Sequence, residues 1–269
     1  MPTPTAKICH SITEIDPAQW DRCAAGAGAY NPFTSHAFLL ALEESGSVGR
    51  EAGWQPFHVA VENGDELIGV VPLYLKNNSQ GEYVFDYAWA DAWHRAGHNY
   101  YPKLQSSIPF TPATSPKLLC ADNTEENQQL LLDACLQVAE QAKVSSLHMT
   151  FLPEDQWQHA AEAGLLQRMD QQFHWHNAGY QNFDDFLAQL ASKKRKNLKR
   201  ERRAALENDI TIHWLTGDDL DEAHWDAFYQ FYVDTGSRKW GTPYLTRDFF
   251  SRANAAMADD ILLIMAQRD

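Results

Sequence analysis

Phe57-His58-Val59-Ala60-Val61-Glu62-Asn63-Gly64-Asp65-Glu66-Leu67-Ile68-Gly69-Val70-Val71-Pro72-Leu73-Tyr74-Leu75 decides the fold class. Two apolar runs, Phe57 to Val61 and Leu67 to Leu75, flank Asn63-Gly64-Asp65, and an Asn-Gly at such a join is a strong short-range signal for a β-hairpin. Upstream, Ser35 to Glu44 places Phe38, Leu39 and Leu42 at helical spacing behind a Thr34 or Ser35 cap. Downstream, Glu82 to Ala88 reads as a third strand, Asp91 to Arg95 as a helical turn stopped by Gly97, and Tyr101 to Pro116 as proline-stiffened extended chain. Asn123 to Lys143 is a long helix, capped by Asn123 or Thr124, with Glu125 and Glu126 in its first turn and Leu130, Leu131, Ala134 and Val138 on one face. Ser146 to Leu152 is then a strand, Pro153 to Ala163 a helix, Gln172 to Asn177 a strand, and Phe183 to Leu190 a helix that runs on into a basic strip. A strand (Ile210 to Leu215), two helices (Leu220 to Asp234, Thr246 to Met257) and a strand (Ile261 to Ala266) follow. This alternation is α/β, with a mixed sheet of α+β character.

The 269 residues, 44% hydrophobic and 12% aromatic, can bury one large core or two modest ones. The longest apolar runs are broken by Gly69 and Pro72 and fall short of the roughly 20 residues a spanning helix needs, so no membrane span is expected. Met1 to Ile8 carries a single Lys and no apolar h-region, which points to the cytoplasm. Cys9, Cys23, Cys120 and Cys135 form no C-x-x-C pair, which argues against a zinc ribbon or a disulfide-stapled fold and makes them reduced packing residues. The final strand stops at Arg268-Asp269 without a partner to turn into. A second unit starting near Gly179 would hold only about 90 residues, so the chain is expected to be cut short.

Charge is distributed unevenly. Net charge is -14, yet Lys193, Lys194, Arg195, Lys196, Lys199, Arg200, Arg202 and Arg203 lie within twelve residues against one acid, Glu201. That strip contributes +7 and leaves -21 on the rest of the chain, so polyanions are repelled everywhere else. As a helix of about 18 Å it sets Lys196, Arg200 and Arg203 on one face. Arg clamps a phosphate bidentately and Lys supplies a mobile point charge, so the mixture suits a diphosphate or a nucleic-acid backbone. The competing view is a solvated helix face paired with acids elsewhere.

Other motifs carry less. Asp91, His94 and His98 have the spacing of zinc ligands, but Gly97 weakens the helix and no Glu adjoins the first His, so an exposed or hydrogen-bonded pair is favoured and no metal is expected. His174 and His176 flank Trp175 on the expected strand and offer no better metal site. Gly26-Ala27-Gly28 lacks both a preceding strand and the third dinucleotide-loop Gly. The acetyl-coenzyme A signature of acetyltransferases is missed by one residue between Arg22 and Gly28, and no G-x-S-x-G elbow occurs. Tyr100-Tyr101-Pro102-Lys103-Leu104 and Pro109-Phe110-Thr111-Pro112, after Phe85-Asp86-Tyr87-Ala88-Trp89, gather aromatics and rigid turns of the kind that line ligand clefts, and Lys103 favours that view over plain core packing.

Asn31-Pro32-Phe33-Thr34-Ser35-His36-Ala37-Phe38-Leu39, the Tyr100 to Leu104 and Pro109 to Pro112 motifs, Phe173-His174-Trp175, and the strip from Lys193-Lys194-Arg195-Lys196-Asn197 through Glu201-Arg202-Arg203 resemble the bacterial FemAB-like family. The likeness covers essentially the whole chain. It implies two GNAT-like (acyl-coenzyme A N-acyltransferase-like) units in tandem, here residues 1–178 and 179–269 with the second incomplete. It also implies transfer of an acyl or aminoacyl group to an amine on a small molecule or peptidoglycan precursor. The donor implied is acyl-coenzyme A or aminoacyl-tRNA, with backbone amides polarising the carbonyl and no covalent enzyme intermediate. On this resemblance Lys103 and the strip, including Lys193, Arg195, Lys196, Arg200 and Arg203, take the phosphate-binding role. Asp86 or Asp91 would hold or deprotonate the amine and Tyr101 would orient the acceptor. The rival function is a non-catalytic adaptor that binds RNA or an anionic envelope component through the same strip.

Overall fold

The computed structural model describes residues 3–207, 209–239 and 241–268. Strand β1 (Thr5–Cys9) and helices α1 (Pro17–Gly26) and α2 (His36–Glu44) lead into β2 (Trp54–Pro56), the hairpin β3 (His58–Asn63) and β4 (Glu66–Val71), and β5 (Tyr74–Lys76). Next come α3 (Tyr87–Arg95), β6 (Lys103–Ser106), β7 (Leu119–Cys120), α4 (Glu125–Gln141), β8 (Leu147–Met149) and α5 (Glu154–Glu162). The remainder is α6 (Phe183–Ala188), α7 (Ser192–Ala205), β9 (Ile210–Leu215), α8 (Glu222–Arg238), α9 (Arg247–Met257) and β10 (Leu263–Arg268). One antiparallel sheet has the order β1-β3-β4-β7, and a second runs β2-β5-β6-β8 with only β6 and β8 parallel. β9 and β10 pair with each other.

Local chemistry builds most of these elements where the sequence puts them. Gly64 takes a φ of +67° at the hairpin turn, which a Cβ would disfavour. Ser35, Thr124 and Thr246 cap α2, α4 and α9 by accepting from the backbone N–H groups of Phe38, Asn127 and Phe249. Four expectations need correction. The run from Leu67 to Leu75 splits at Pro72, which has no N–H to donate, so β4 and β5 enter different sheets. Glu82 to Ala88 is not a strand: the chain turns at Tyr83 (φ 56°) to bury the Glu82 and Asp86 carboxylates, and α3 starts at Tyr87. Gln172 to Asn177 is irregular and exposed, with no strand beside it among the described residues. The helix over Phe183 to Leu190 also does not run into the basic strip. Ala191 adopts an extended conformation (φ -54°, ψ 143°) and α7 begins afresh at Ser192.

A first hydrophobic core joins Trp20, Leu39, Leu42 and Trp54 to Trp225, Phe249, Phe250 and Leu263 from the far end of the chain. A second lies between the first sheet and α4, around Val59, Val71, Leu131, Cys135 and Val138. All four cysteines are buried free thiols. No described helix is long and apolar enough to cross a membrane.

Candidate functional site

Pairing of β5 with β6 sets Lys76 directly opposite Lys103. Both ammonium groups are wholly buried. The chain from Ser79 to Asp86 folds over them and supplies the counter-charges. Lys103 Nζ donates to Asp86 Oδ2 at 2.6 Å, Glu82 Oε2 at 2.8 Å and Ser79 Oγ at 3.1 Å. Asp86 Oδ2 also accepts from Tyr100 at 2.8 Å and Ser79 at 3.0 Å, and Ser79 meets the Tyr101 hydroxyl at 2.7 Å. Lys76 donates to the Gln80 carbonyl at 3.1 Å, lies 3.8 Å from Glu82 Oε1 and sits 3.5 Å above the Trp54 ring. Glu82 Oε1 and Asp86 Oδ1 are buried without a hydrogen-bond partner.

The two carboxylates differ in character. Burial pushes Asp86 up, but its hydrogen bond to Lys103, the Lys103 charge, and hydrogen bonds from Ser79 and Tyr100 outweigh that and hold it below the usual aspartate range. Glu82 is raised, because its burial outweighs the pull of Lys103 and Lys76. Burial also lowers Lys76 to about 7, against the attraction of Glu82. Beside them His148 is brought down to about 4 by burial and then by the Lys103 charge, so its imidazole is neutral. Its ring packs edge-on to Tyr100.

Helix α7 offers a different environment. Its side chains lie at the surface, with only Arg195 and Leu198 half-buried. Lys199 pairs with Asp184 at 2.9 Å, Arg202 covers the Phe183 ring at 4.0 Å, and Arg195 donates to the Ala188 carbonyl at 3.4 Å. Among the described residues no carboxylate pairs with Lys193, Lys194, Lys196, Arg200 or Arg203. Between α6 and α7 an open hollow of about 450 Å3 is lined by Lys199, Arg202 and Arg203 with Asn182, Phe183, Asp184 and Leu187. A second hollow of about 380 Å3 shares Asn182 and Phe183 with it and is walled by Trp175, Tyr180 and Phe186.

The structure therefore gathers Asp86, Tyr101 and Lys103 and sorts the remaining candidates elsewhere. Lys103 does not reach out for a phosphate: it is buried and already bonded to two carboxylates. Asp91 stands on the exposed surface of α3, paired with Arg95 at 3.0 Å. Of Lys196, Arg200 and Arg203, expected to act together, only Arg203 lines the hollow, because α7 turns its Lys199 and Arg202 side towards α6. Among the described residues no three His, Cys, Asp or Glu side chains gather as a cation site. Glu82, Lys76 and Ser79 escaped the sequence reading. The one signal for Glu82 was an acid at the start of an apparent strand.

Fold and site together define a mixed α/β protein with a buried lysine–carboxylate cluster and a cationic, aromatic-walled surface on one basic helix. The chain belongs to the FemAB-like family, described as peptidoglycan biosynthesis/recognition, which it matches over residues 11–269. Among solved structures it is similar to the crystal structure of FemX, at 14% identity and a TM-score of 0.49, covering 98% of this chain and 58% of that one. It is also similar to TTHA1254 of Thermus thermophilus, at 13% identity and a TM-score of 0.33, covering 65% of this chain and 99% of that one. The chain thus spans little over half of the FemX length. No curated protein sequence matches it.

Proposed function

We propose that this protein forms an amide bond on an amine of a phosphate-bearing peptidoglycan precursor, as an acyl or aminoacyl transferase built from two GNAT-like units that meet near residues 178 and 179. The observation that carries this reading is the α6–α7 hollow. Lys199, Arg202 and Arg203 line it, and of these only Lys199 has a carboxylate partner among the described residues, Asp184, which leaves two guanidinium groups for a diphosphate. Family membership supplies the peptidoglycan context. In the reaction the amine nitrogen attacks the donor carbonyl and a C–N bond forms. The thioester C–S bond of acyl-coenzyme A, or the ester C–O bond of aminoacyl-tRNA, breaks, and the amine proton passes to a base or to the leaving group. An aspartate held below its usual range is a poor base, and Asp86 already accepts from the Lys103 ammonium, so its part is to fix the cluster beside Tyr101 rather than to remove the amine proton. Work in the cytoplasm belongs to the same reading.

The test mixes the protein with a nucleotide-sugar peptide and, in turn, acyl-coenzyme A and aminoacyl-tRNA, and follows the mass of the acceptor. One donor should add its acyl group. Calorimetry should show Arg202→Glu/Arg203→Glu binding the acceptor about a hundredfold more weakly, the loss of two charge-assisted contacts. Absence of both transfer and acceptor binding, with either donor, would end the proposal.

A further inference from the structure

Outside that chemistry, one surface combines two signals that water alone does not explain. The stretch from Leu166 to Trp175 is irregular and carries four large apolar side chains in solvent: Leu166 is 90% exposed, Met169 81%, Phe173 91% and Trp175 66%. Its Trp175 end connects to the basic helix through α6. Trp175 contacts Phe186 at 6.2 Å, Phe186 contacts Phe183 at 5.5 Å, and Arg202 lies over Phe183. Apolar patches of this kind mark places where something docks.

We infer that α7, with the Phe173–Trp175 segment joined to it through α6, seats the protein on an anionic lipid surface. Charge complementarity selects the occupant. Lys193, Lys194 and Lys196 lie on α7, and the negative charge of the rest of the chain leaves this helix as the place where an anionic headgroup layer can approach. A flexible single-stranded nucleic acid would match the cations and could stack on Trp175, but it gives no cover to the aliphatic Leu166 and Met169. A membrane interface covers both kinds of group, with aromatic rings at headgroup level and basic side chains on phosphates. Reversible attachment of this type needs two signals together, and no described helix crosses the bilayer to replace them.

The experiment sediments the 269-residue chain with vesicles of phosphatidylglycerol mixed into phosphatidylcholine, and with phosphatidylcholine alone. Binding should appear only with the anionic vesicles and fade as salt shortens the electrostatic range. Lys193→Glu/Lys194→Glu/Lys196→Glu touches no buried group and should weaken it by about a hundredfold or more, from about fivefold for each basic residue near such a surface. Phe173→Ser/Trp175→Ser should weaken it while leaving the salt dependence in place. A circular-dichroism spectrum equal to the parent's certifies each variant as folded. The inference is overturned by absence of vesicle binding, by equal binding to both vesicle types, or by charge reversal without effect. It is equally overturned if the same lysines govern binding to single-stranded RNA while vesicles stay unbound. Since vesicles contain neither donor nor acceptor, a failed transfer assay leaves this result standing on its own.

Discussion

Lys103 shows how far one side chain's role depends on its surroundings. Its position in a proline-flanked aromatic loop suggested a ligand contact, and its hydrogen bonds instead tie β6 to Glu82 and Asp86 in a dry interior. Lys103→Met would leave two buried carboxylates without their main counter-charge, so urea denaturation should show a loss of about 3–5 kcal/mol. Lys117 is the opposite case. It is wholly buried and held by the Ser115 carbonyl and hydroxyl at 2.7 and 2.8 Å, with no carboxylate partner among the described residues. Burial lowers it from 10.5 to about 7. The unfolded amine keeps its proton to about pH 10.5 whereas the folded one releases it near 7, so the unfolded chain binds more protons between those values. Stability from this residue therefore rises with pH across that window, and its penalty is fully in force below it. Lys117→Met removes the dependence. Urea midpoints of parent and variant taken from about pH 7 to 9.5 should show the parent gaining on the variant as pH rises. Taking the difference cancels the ionisation of the buried thiols, which burial raises in both proteins. In the candidate cluster, Asp86, Tyr101 and Lys103 were visible as residues worth attention. Glu82 and Lys76 were not, because neither is marked until β5 pairs with β6 and the loop closes over them.

At the level of elements, the caps do more than end helices. Thr246 accepts from Phe249 N–H, donates to the Ser45 carbonyl, and places its own N–H on Ser47 Oγ, so it joins α9 to the end of α2. Thr246→Ala should cost about 1–2 kcal/mol by thermal or urea unfolding, the upper part of the range for a cap, because it removes the tertiary bond as well. Gly26 closes α1 where the helix crosses β7, and a Cβ there would overlap the carbonyl oxygens of Cys120 and Ala121. Gly26→Ala should therefore destabilise by about 1–3 kcal/mol although alanine is the better helix former, and urea titration gives the sign directly. The hairpin and the helices α2, α4 and α9 were legible because their signals, a turn glycine or a cap three residues from its target, lie within one turn of chain. The strand expected at Gln172 to Asn177 failed because alternation supplies only half of a strand. The other half is a neighbouring edge to bond with, and none adjoins it among the described residues.

For the molecule as a whole, the shared core sets behaviour. Phe249 packs edge-on to Phe38 at 5.8 Å, and Phe250 stacks with Trp225 at 5.6 Å, so residues on both sides of position 178 rely on one apolar cluster. Scanning calorimetry should show a single transition, and Phe249→Ala should lower that transition as a unit, at a cost of about 3–5 kcal/mol. Two separated transitions, with only the later residues affected, would show that the halves unfold independently. The amino-acid sequence by itself determined the mixed α/β class, the hairpin, the capped helices, and the confinement of positive charge to one strip, since each follows from residues within a few positions of one another. Only the tertiary structure decided which lysines face water and which are sealed against carboxylates. Burying a charge is tolerable only where counter-charges and hydrogen bonds from distant segments converge on it, and that convergence is a property of strand order and loop path, with no trace in local spacing.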